Sequence, residues 1–230
     1  MPLITSANIA CGAHAGDPLV MARTVALAAG SGVGIGTHPG YPDRDGFGRR
    51  ALDMSDDELE ASLLYQLGAL GAFVRSVGAS MTHVKVHGAL YNQAATDQRL
   101  AAVVLRAVEQ FDRSLIVVAL AGSSILDLAR GAGFATAAEA FADRAYEGDG
   151  TLRSRRLPGA ILATPEAAAA QALSIVTKRV VQSYDGLPLN INADTLCIHG
   201  DTPGAADYAR AVREGLQAVG VTVSRLAREP

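Results

Sequence analysis

The chain has 230 residues, a formal net charge of −3, and 49% hydrophobic residues supplied mainly by Ala, Val and Leu. One α/β domain over 1–230 accommodates that length, because small apolar side chains suit stacked helices and strands. The absence of a basic stripe, of any apolar run near the ~20 residues of a bilayer span, and of a signal-type start leads us to expect a cytoplasmic protein without nucleic-acid or membrane partners.

Strand and helix alternate along the chain. Leu3 to Ala10 reads as a strand, and Asp17-Pro18 opens a helix to about Ala29, with Pro at a tolerated early position. Gly32 to Gly36 is a short strand with glycines on one face and Val33 and Ile35 on the other. Ser55 and Glu58 form a capping box for a helix to about Val77, which Gly78 ends. Met81 to Val86 is a strand, Asp97 to about Gln110 a helix, and Leu115 to Leu120 an apolar strand of the doubly buried kind. A helix over Ser124 to Arg130 and a strand over Ala135 to Ala140 follow. Thr164-Pro165 caps an Ala-rich helix to Val176. Asp194 to Ile198 is a strand, Pro203 to Val219 the last helix, and Val221 to Ser224 a closing strand. Arg144 to Pro158 reads as a loop with the make-up of a lid. The βαβα order implies a parallel sheet, open or closed.

Five chemically dense segments stand where strands end: 8–18, 37–50, 85–92, 141–146 and 197–201. They hold four of the five histidines, and in β/α folds such ends converge on one face. Alternation puts Lys85 and His87 on one side, an ammonium for an oxyanion or phosphate beside an imidazole for protons. The plainer alternative is a salt-bridged lysine and a histidine that caps the Gly88 turn. Asn92 closes the same segment as a candidate substrate contact. His199 and Asp201 read as base and orienter or as metal ligands, against Asp201 or Thr202 simply capping the next helix.

His14 and Asp17 flank a Gly-rich turn into a helix whose N-terminus suits an anion, with Asn8 pointing to the same mouth; otherwise Asp17 is only the N-cap. Arg49 and Arg50 suit a carboxylate or nucleotide clamp, against a solvated Asp/Arg loop. Asp143, followed by Arg144, is a buried acid with a charge partner. His83 is as well explained by core packing as by a site. Cys11 and Cys197 lack disulfide-framework or zinc spacing and read as reduced thiols. Neither a Walker A nor a G-x-G-x-x-G motif is present.

Together, Ala-Asn-Ile-Ala-Cys-Gly-x-His-Ala-Gly-Asp-Pro (7–18), His-Pro-Gly-Tyr-Pro-Asp with Gly-Phe-Gly-Arg-Arg (38–50), Lys-x-His-Gly-Ala-Leu-Tyr-Asn (85–92), Phe-Ala-Asp-Arg-x-Tyr (141–146) and Cys-x-His-Gly-Asp (197–201) resemble the LamB/YcsF family. The resemblance covers essentially the whole chain. It implies a seven-stranded β/α barrel of the glycoside hydrolase/deacetylase type. It also implies ATP-dependent opening of 5-oxoproline to glutamate by a 5-oxoprolinase, with this chain as the A component beside subunits B and C. Family members usually carry an Asp-Leu-Asn-x-Asp-x-Gly-Glu strand about thirty residues before Ala7. This chain has no counterpart, so the implied barrel lacks its first strand and exposes two sheet edges. Ala13 and Val86 also replace the usual Phe and Pro.

Residue chemistry then assigns roles. Lys85, Arg49 and Arg50 face phosphate or oxyanion charge, while His87 and the His199/Asp201 pair move protons, with Asp143 as a further catalytic candidate. Arg144 or the Asp17 helix start holds the substrate carboxylate. A metal-dependent variant, akin to an amidohydrolase or deacetylase, uses a divalent ion on His14, His38, His87 and Asp201. A different class of function is a non-catalytic docking or regulatory subunit.

Overall fold

The computed structural model describes residues 1–226. They form two compact units, one of residues 1–137 with Arg225 and Leu226, the other of residues 138–224. In the first unit β1 (Ser6–Ala10), β2 (Gly34–His38), β3 (Met81–Val84) and β4 (Ile116–Leu120) lie side by side in chain order, all parallel. Between them run α1 (Pro18–Gly30), α2 (Asp56–Ser76), the short α3 (Gly88–Ala94) and α4 (Gln98–Asp112), and α5 (Ser124–Gly131) follows β4. The expected α/β class with parallel strands is therefore present.

Local chemistry explains these boundaries. Asp17 caps α1 by accepting from the backbone N–H groups of Leu19 and Val20, both at 2.9 Å. Ser55 and Glu58 close the capping box of α2, which satisfies two otherwise orphaned donors. All five residues of β4 are buried, as its unbroken apolar run requires. Ile9, Val25, Ala28, Val33, Ile35, Leu70 and Val74 form one core between β1, β2, α1 and α2. Each large member removed from water contributes about 1.5–3 kcal/mol.

The helix α3 has no counterpart in the sequence reading. Its N-cap is His87, whose side chain makes no capping bond, so the usual start signal is missing. Gly88 follows at φ +62°, and a Cβ there would lie 2.3 Å from the Gly48 carbonyl oxygen. Only glycine permits that backbone approach.

β5 (Thr136–Phe141) begins at the end of the first unit, and in the second it pairs in parallel with β8 (Thr195–Cys197). α6 (Pro165–Lys178) and α7 (Ala205–Ala218) pack around Ala142, Ala168, Ala172, Tyr208, Val212 and Leu216. Thr164 caps α6 as expected, whereas α7 is entered through Gly204 at φ +77° with no side-chain cap. Neither Asp201 nor Thr202 therefore fills that role. The expected closing strand at 221–224 is irregular, although Val221 and Val223 still pack against this core. An antiparallel hairpin of β6 (Val180–Gln182) and β7 (Pro188–Asn190) was not anticipated, because its strands are too short to show a period. No described helix is long and apolar enough to cross a membrane.

Candidate functional site

Three of the sequence-predicted histidines meet in the first unit. His38 ends β2, His87 follows β3, and His14 comes from the turn after β1. The rings of His14 and His87 stack at 3.9 Å between centroids and 1° between planes. His87 Nδ1 lies 2.9 Å from His38 Nε2, His38 Nδ1 donates to the Lys85 carbonyl at 2.6 Å, and His87 Nε2 faces the Phe47 carbonyl at 2.8 Å. Lys85 is buried beside them at 4% exposure, its ammonium 5.3 Å from the Tyr91 ring centroid. Arg49 lies 4.9 Å over the Phe47 ring, which itself stands edge-on to His14 and His87.

This neighbourhood holds the imidazoles neutral. Burial, with Arg49 nearby, lowers the His14 pKa to about 4. Burial, His14, Arg49 and Lys85 lower that of His87 to about 3, and burial with His87 and Lys85 carries His38 well below its usual value. Cations and desolvation act in the same direction. With carbonyl acceptors at both ends, the His38–His87 pair would need three N–H groups to satisfy every contact, while two neutral rings bring two. The pair is thus one donor short.

The donor set does not fit a divalent ion. Both nitrogens of His38 and of His87 are committed to hydrogen-bond contacts, and Asp201 is an exposed residue of the second unit. Among the described residues no group of three or more His, Cys, Asp or Glu side chains is arranged to hold a metal. Instead, the expected ligands His14 and His87 stack on one another and His87 meets His38 nitrogen to nitrogen.

The second unit contains a carboxylate–imidazole dyad. Asp143 is fully buried and accepts from the His199 backbone N–H at 2.9 Å and from His199 Nδ1 at 3.0 Å. Burial works to raise the Asp143 pKa, but the bonds and charge of His199 prevail and lower it. The His199 ring also stacks on Phe141, with centroids 5.4 Å apart. A carboxylate that fixes the ring through Nδ1 is the arrangement of an oriented general base.

Other sequence expectations are corrected. The carboxylate that bonds the His199 ring is Asp143, brought alongside by strand pairing of β5 with β8. Asp17 occupies the N-terminus of α1 with its own carboxylate, so no anion site is left there. Arg50 is committed to Asp43, holding that carboxyl down at about 2. Arg144 donates to the carbonyls of Ala160 and Arg153, tying down the segment read as a lid. Asn92 is exposed on α3, while its neighbour Tyr91 faces Lys85. Asn8 is exposed and accepts from His83 Nε2 at 3.0 Å; His83 is a buried wall residue.

Sequence reasoning missed Phe47, Tyr91 and Gln66. The first two stand inside segments already singled out. Gln66 had a legible signal, a polar residue on the apolar stripe Leu59, Leu63, Leu67, Leu70 of α2. Its amide spans the Gly40 peptide, accepting from the Gly40 N–H at 3.0 Å and donating to the Gly40 carbonyl at 2.8 Å.

The LamB/YcsF family model matches residues 1–229. The chain belongs to the LamB/YcsF family. Relatives named as the A subunit of 5-oxoprolinase include one from Chloroflexus aggregans, 54% identical over 223 residues, which are 97% of this chain and 88% of that protein. Another, from Geobacillus thermodenitrificans, is 48% identical over 229 residues, 100% of this chain and 90% of the relative. A solved structure, the lactam utilization protein from Thermus thermophilus, is 45% identical with a TM-score of 0.91, covering 98% of this chain and 90% of that one. The matched residues include His14, the His38–Arg50 loop, Lys85 with His87, and the Asp143–His199 dyad.

Proposed function

We propose that this chain is the A subunit of an ATP-dependent 5-oxoprolinase, working with B and C subunits to open the cyclic amide to glutamate. The observation that carries the reading is the cluster of buried Lys85, His14 and His87 with half-buried Arg49 beside them, in a chain 54% identical to a relative named as the A subunit of 5-oxoprolinase. An unstrained lactam resists water at neutral pH because amide resonance protects its carbonyl carbon. Transfer of the ATP γ-phosphoryl group to the lactam oxygen removes that protection. ADP leaves, water attacks the carbon, and the C–N bond breaks with a proton passing to the ring nitrogen, which leaves an acyl phosphate. A second water then cleaves that acyl phosphate to the glutamate carboxylate and phosphate.

The cluster suits the charged part of this sequence. Lys85 and Arg49 carry only donors and meet phosphoryl or carboxylate oxygen, in surroundings dry enough to strengthen the attraction. The imidazoles, held neutral by burial and by the neighbouring cations, leave the positive charge of this cluster to Lys85 and Arg49. In the second unit, His199 held by Asp143 has the make-up of a general base.

Phosphate release dependent on 5-oxoproline, measured with this chain and B and C subunits, tests the reading. The wild-type assembly is expected to release phosphate and form glutamate. The Lys85→Met assembly should be slower by about 10²–10³-fold, the usual scale for losing one charge-stabilising donor. No release by the wild-type assembly would overturn the reading, and full activity of Lys85→Met would remove Lys85 from it.

A further inference from the structure

Gln66 reaches into the dense 37–50 segment at Gly40, and it bonds that residue twice. Its side chain is fully buried at 0% exposure in the middle of α2. Burying an amide without partners is costly, and here every polar hydrogen and the oxygen are used. Oε1 accepts the Gly40 N–H at 3.0 Å, one Nε2 hydrogen goes to the Gly40 carbonyl at 2.8 Å, and the other is directed to Ser62, whose carbonyl lies at 3.2 Å. The network fixes the amide in one orientation, because the opposite one would set donor on donor and acceptor on acceptor. The two bonds hold the Gly40 N–H and the Gly40 carbonyl, which belong to successive peptide groups, on one side-chain amide and so restrain the backbone on both sides of its Cα.

The other face of Gly40 meets the histidines. A Cβ placed on Gly40 would lie 3.1 Å from His87 Cβ and 3.3 Å from His14 Nδ1. Gly40 is thus the spacer between a fixed helix and the stacked imidazoles. The neighbouring backbone repeats the theme, since the His87 N–H donates to the Pro39 carbonyl at 2.7 Å. Chain position 38–40 is therefore pinned from α2 on one side and packed against His14 and His87 on the other.

We propose that Gln66 is a positioning residue that acts through Gly40 to set the placement of the His14–His87 imidazole pair. Its part in turnover rests on the 5-oxoprolinase reading; its part in placing the rings does not. A residue that only filled core volume would be replaceable by an apolar side chain of similar length, with some loss of stability and no effect on the rings. A positioning residue is not replaceable in that way, because a small displacement of reacting groups is enough to slow turnover.

The test uses Gln66→Met, which keeps length and removes both Gly40 bonds, beside Leu63→Ala, which disturbs the buried face of the same helix and leaves both Gly40 bonds in place. Side-chain 1H–15N spectra of the histidines are recorded on the isolated full chain, and kcat and KM on the assembly with B and C subunits. Gln66→Met is expected to shift the His14 and His87 resonances and to lower kcat by about 10–100-fold, with KM changed far less. Leu63→Ala should lower the unfolding midpoint while leaving those resonances in place. Unshifted resonances with undiminished kcat in Gln66→Met would overturn the proposal, as would equal ring shifts in Leu63→Ala. Should Gln66→Met fail to fold, Gly40→Ala pushes the same rings from the spacer itself and must displace the same two resonances; their constancy would overturn it equally. A wild-type assembly that releases no phosphate would refute the 5-oxoprolinase reading, while the spectra would still decide the role of Gln66.

Discussion

Gly36 lies directly against the ring of His83: a Cβ on Gly36 would stand 2.0 Å from His83 Nε2. The ring is fixed there by its neighbours, since Nε2 donates to Asn8 Oδ1 at 3.0 Å and Nδ1 meets the Thr82 hydroxyl at 2.7 Å. Gly36→Ala should therefore destabilise the chain by about 3 kcal/mol, the upper range for a core overpacked by one methyl. Combining it with His83→Ala should cost clearly less than the sum of the two single changes, as urea unfolding of all four proteins would show. Additive losses would mean that the ring moves aside freely.

Asp143 and His199 make a second prediction. Asp143→Asn keeps the shape of the side chain but removes the charge that orients His199, and should slow turnover of the assembly by about 10²–10⁴-fold. Asp201→Asn, at an exposed position, should fall far short of that. Equal losses from the two changes would restore Asp201 to the role of orienter.

The neutral histidines predict an acid limb in stability. In the unfolded chain a histidine titrates near 6.5, whereas His14 does so at about 4 and His87 at about 3 in the fold. Between those values the unfolded chain binds more protons, so stability rises with pH through the window and is lost as pH falls from 6.5 towards 4. Each such residue contributes a slope of about 1.4 kcal/mol per pH unit where the two states differ by a full proton. Urea midpoints measured from pH 7 down to 4.5 should fall, and the fall should be shallower in His14→Phe. A flat profile would mean that the stack accepts protons without strain.

Arg144 gives the fourth. Its guanidinium serves the carbonyls of Ala160 and Arg153, and Arg153 in turn pairs with Glu147 and lies 3.5 Å over the Tyr184 ring. Arg144→Met should open the 144–162 segment to limited proteolysis. A rise in the KM for 5-oxoproline without faster cleavage would instead support the carboxylate-binding role expected from sequence.

Much of the fold was legible because its signals are local. Asp17, Ser55 with Glu58, and Thr164 announced helix starts that the backbone then obeys, and the Leu115–Leu120 run announced a buried strand. The helix α3 was not legible, since its first residue carries no capping bond and its first glycine is dictated by Gly48, far back in the chain. Within the candidate site, the histidines, Lys85 and Asp143 were found by residue type and strand-end position. Which carboxylate serves His199 was not, because sequence spacing favoured Asp201 while β5–β8 pairing delivers Asp143. Arg50 and Arg144 look alike to Arg49 in sequence, and only the fold gives Arg50 the Asp43 carboxylate and Arg144 the carbonyls of Ala160 and Arg153.

Cys11 sits in the layer between α1 and the β1–β2 pair at 1% exposure, its sulfur 3.1 Å from the Ile9 carbonyl and 3.0 Å from the Thr37 hydroxyl. Burial pushes this thiol up to about 11, so it is almost entirely protonated at neutral pH and a poor nucleophile while the layer is closed. The closed chain has therefore put a reactive atom out of reach of oxidants and alkylating agents without a disulfide or a metal to protect it. Any modification at Cys11 has to wait for α1 to lift from the sheet. The rate at which a small thiol reagent finds Cys11 thus clocks that local opening, giving a built-in gauge of how firmly the edge carrying His14 is held.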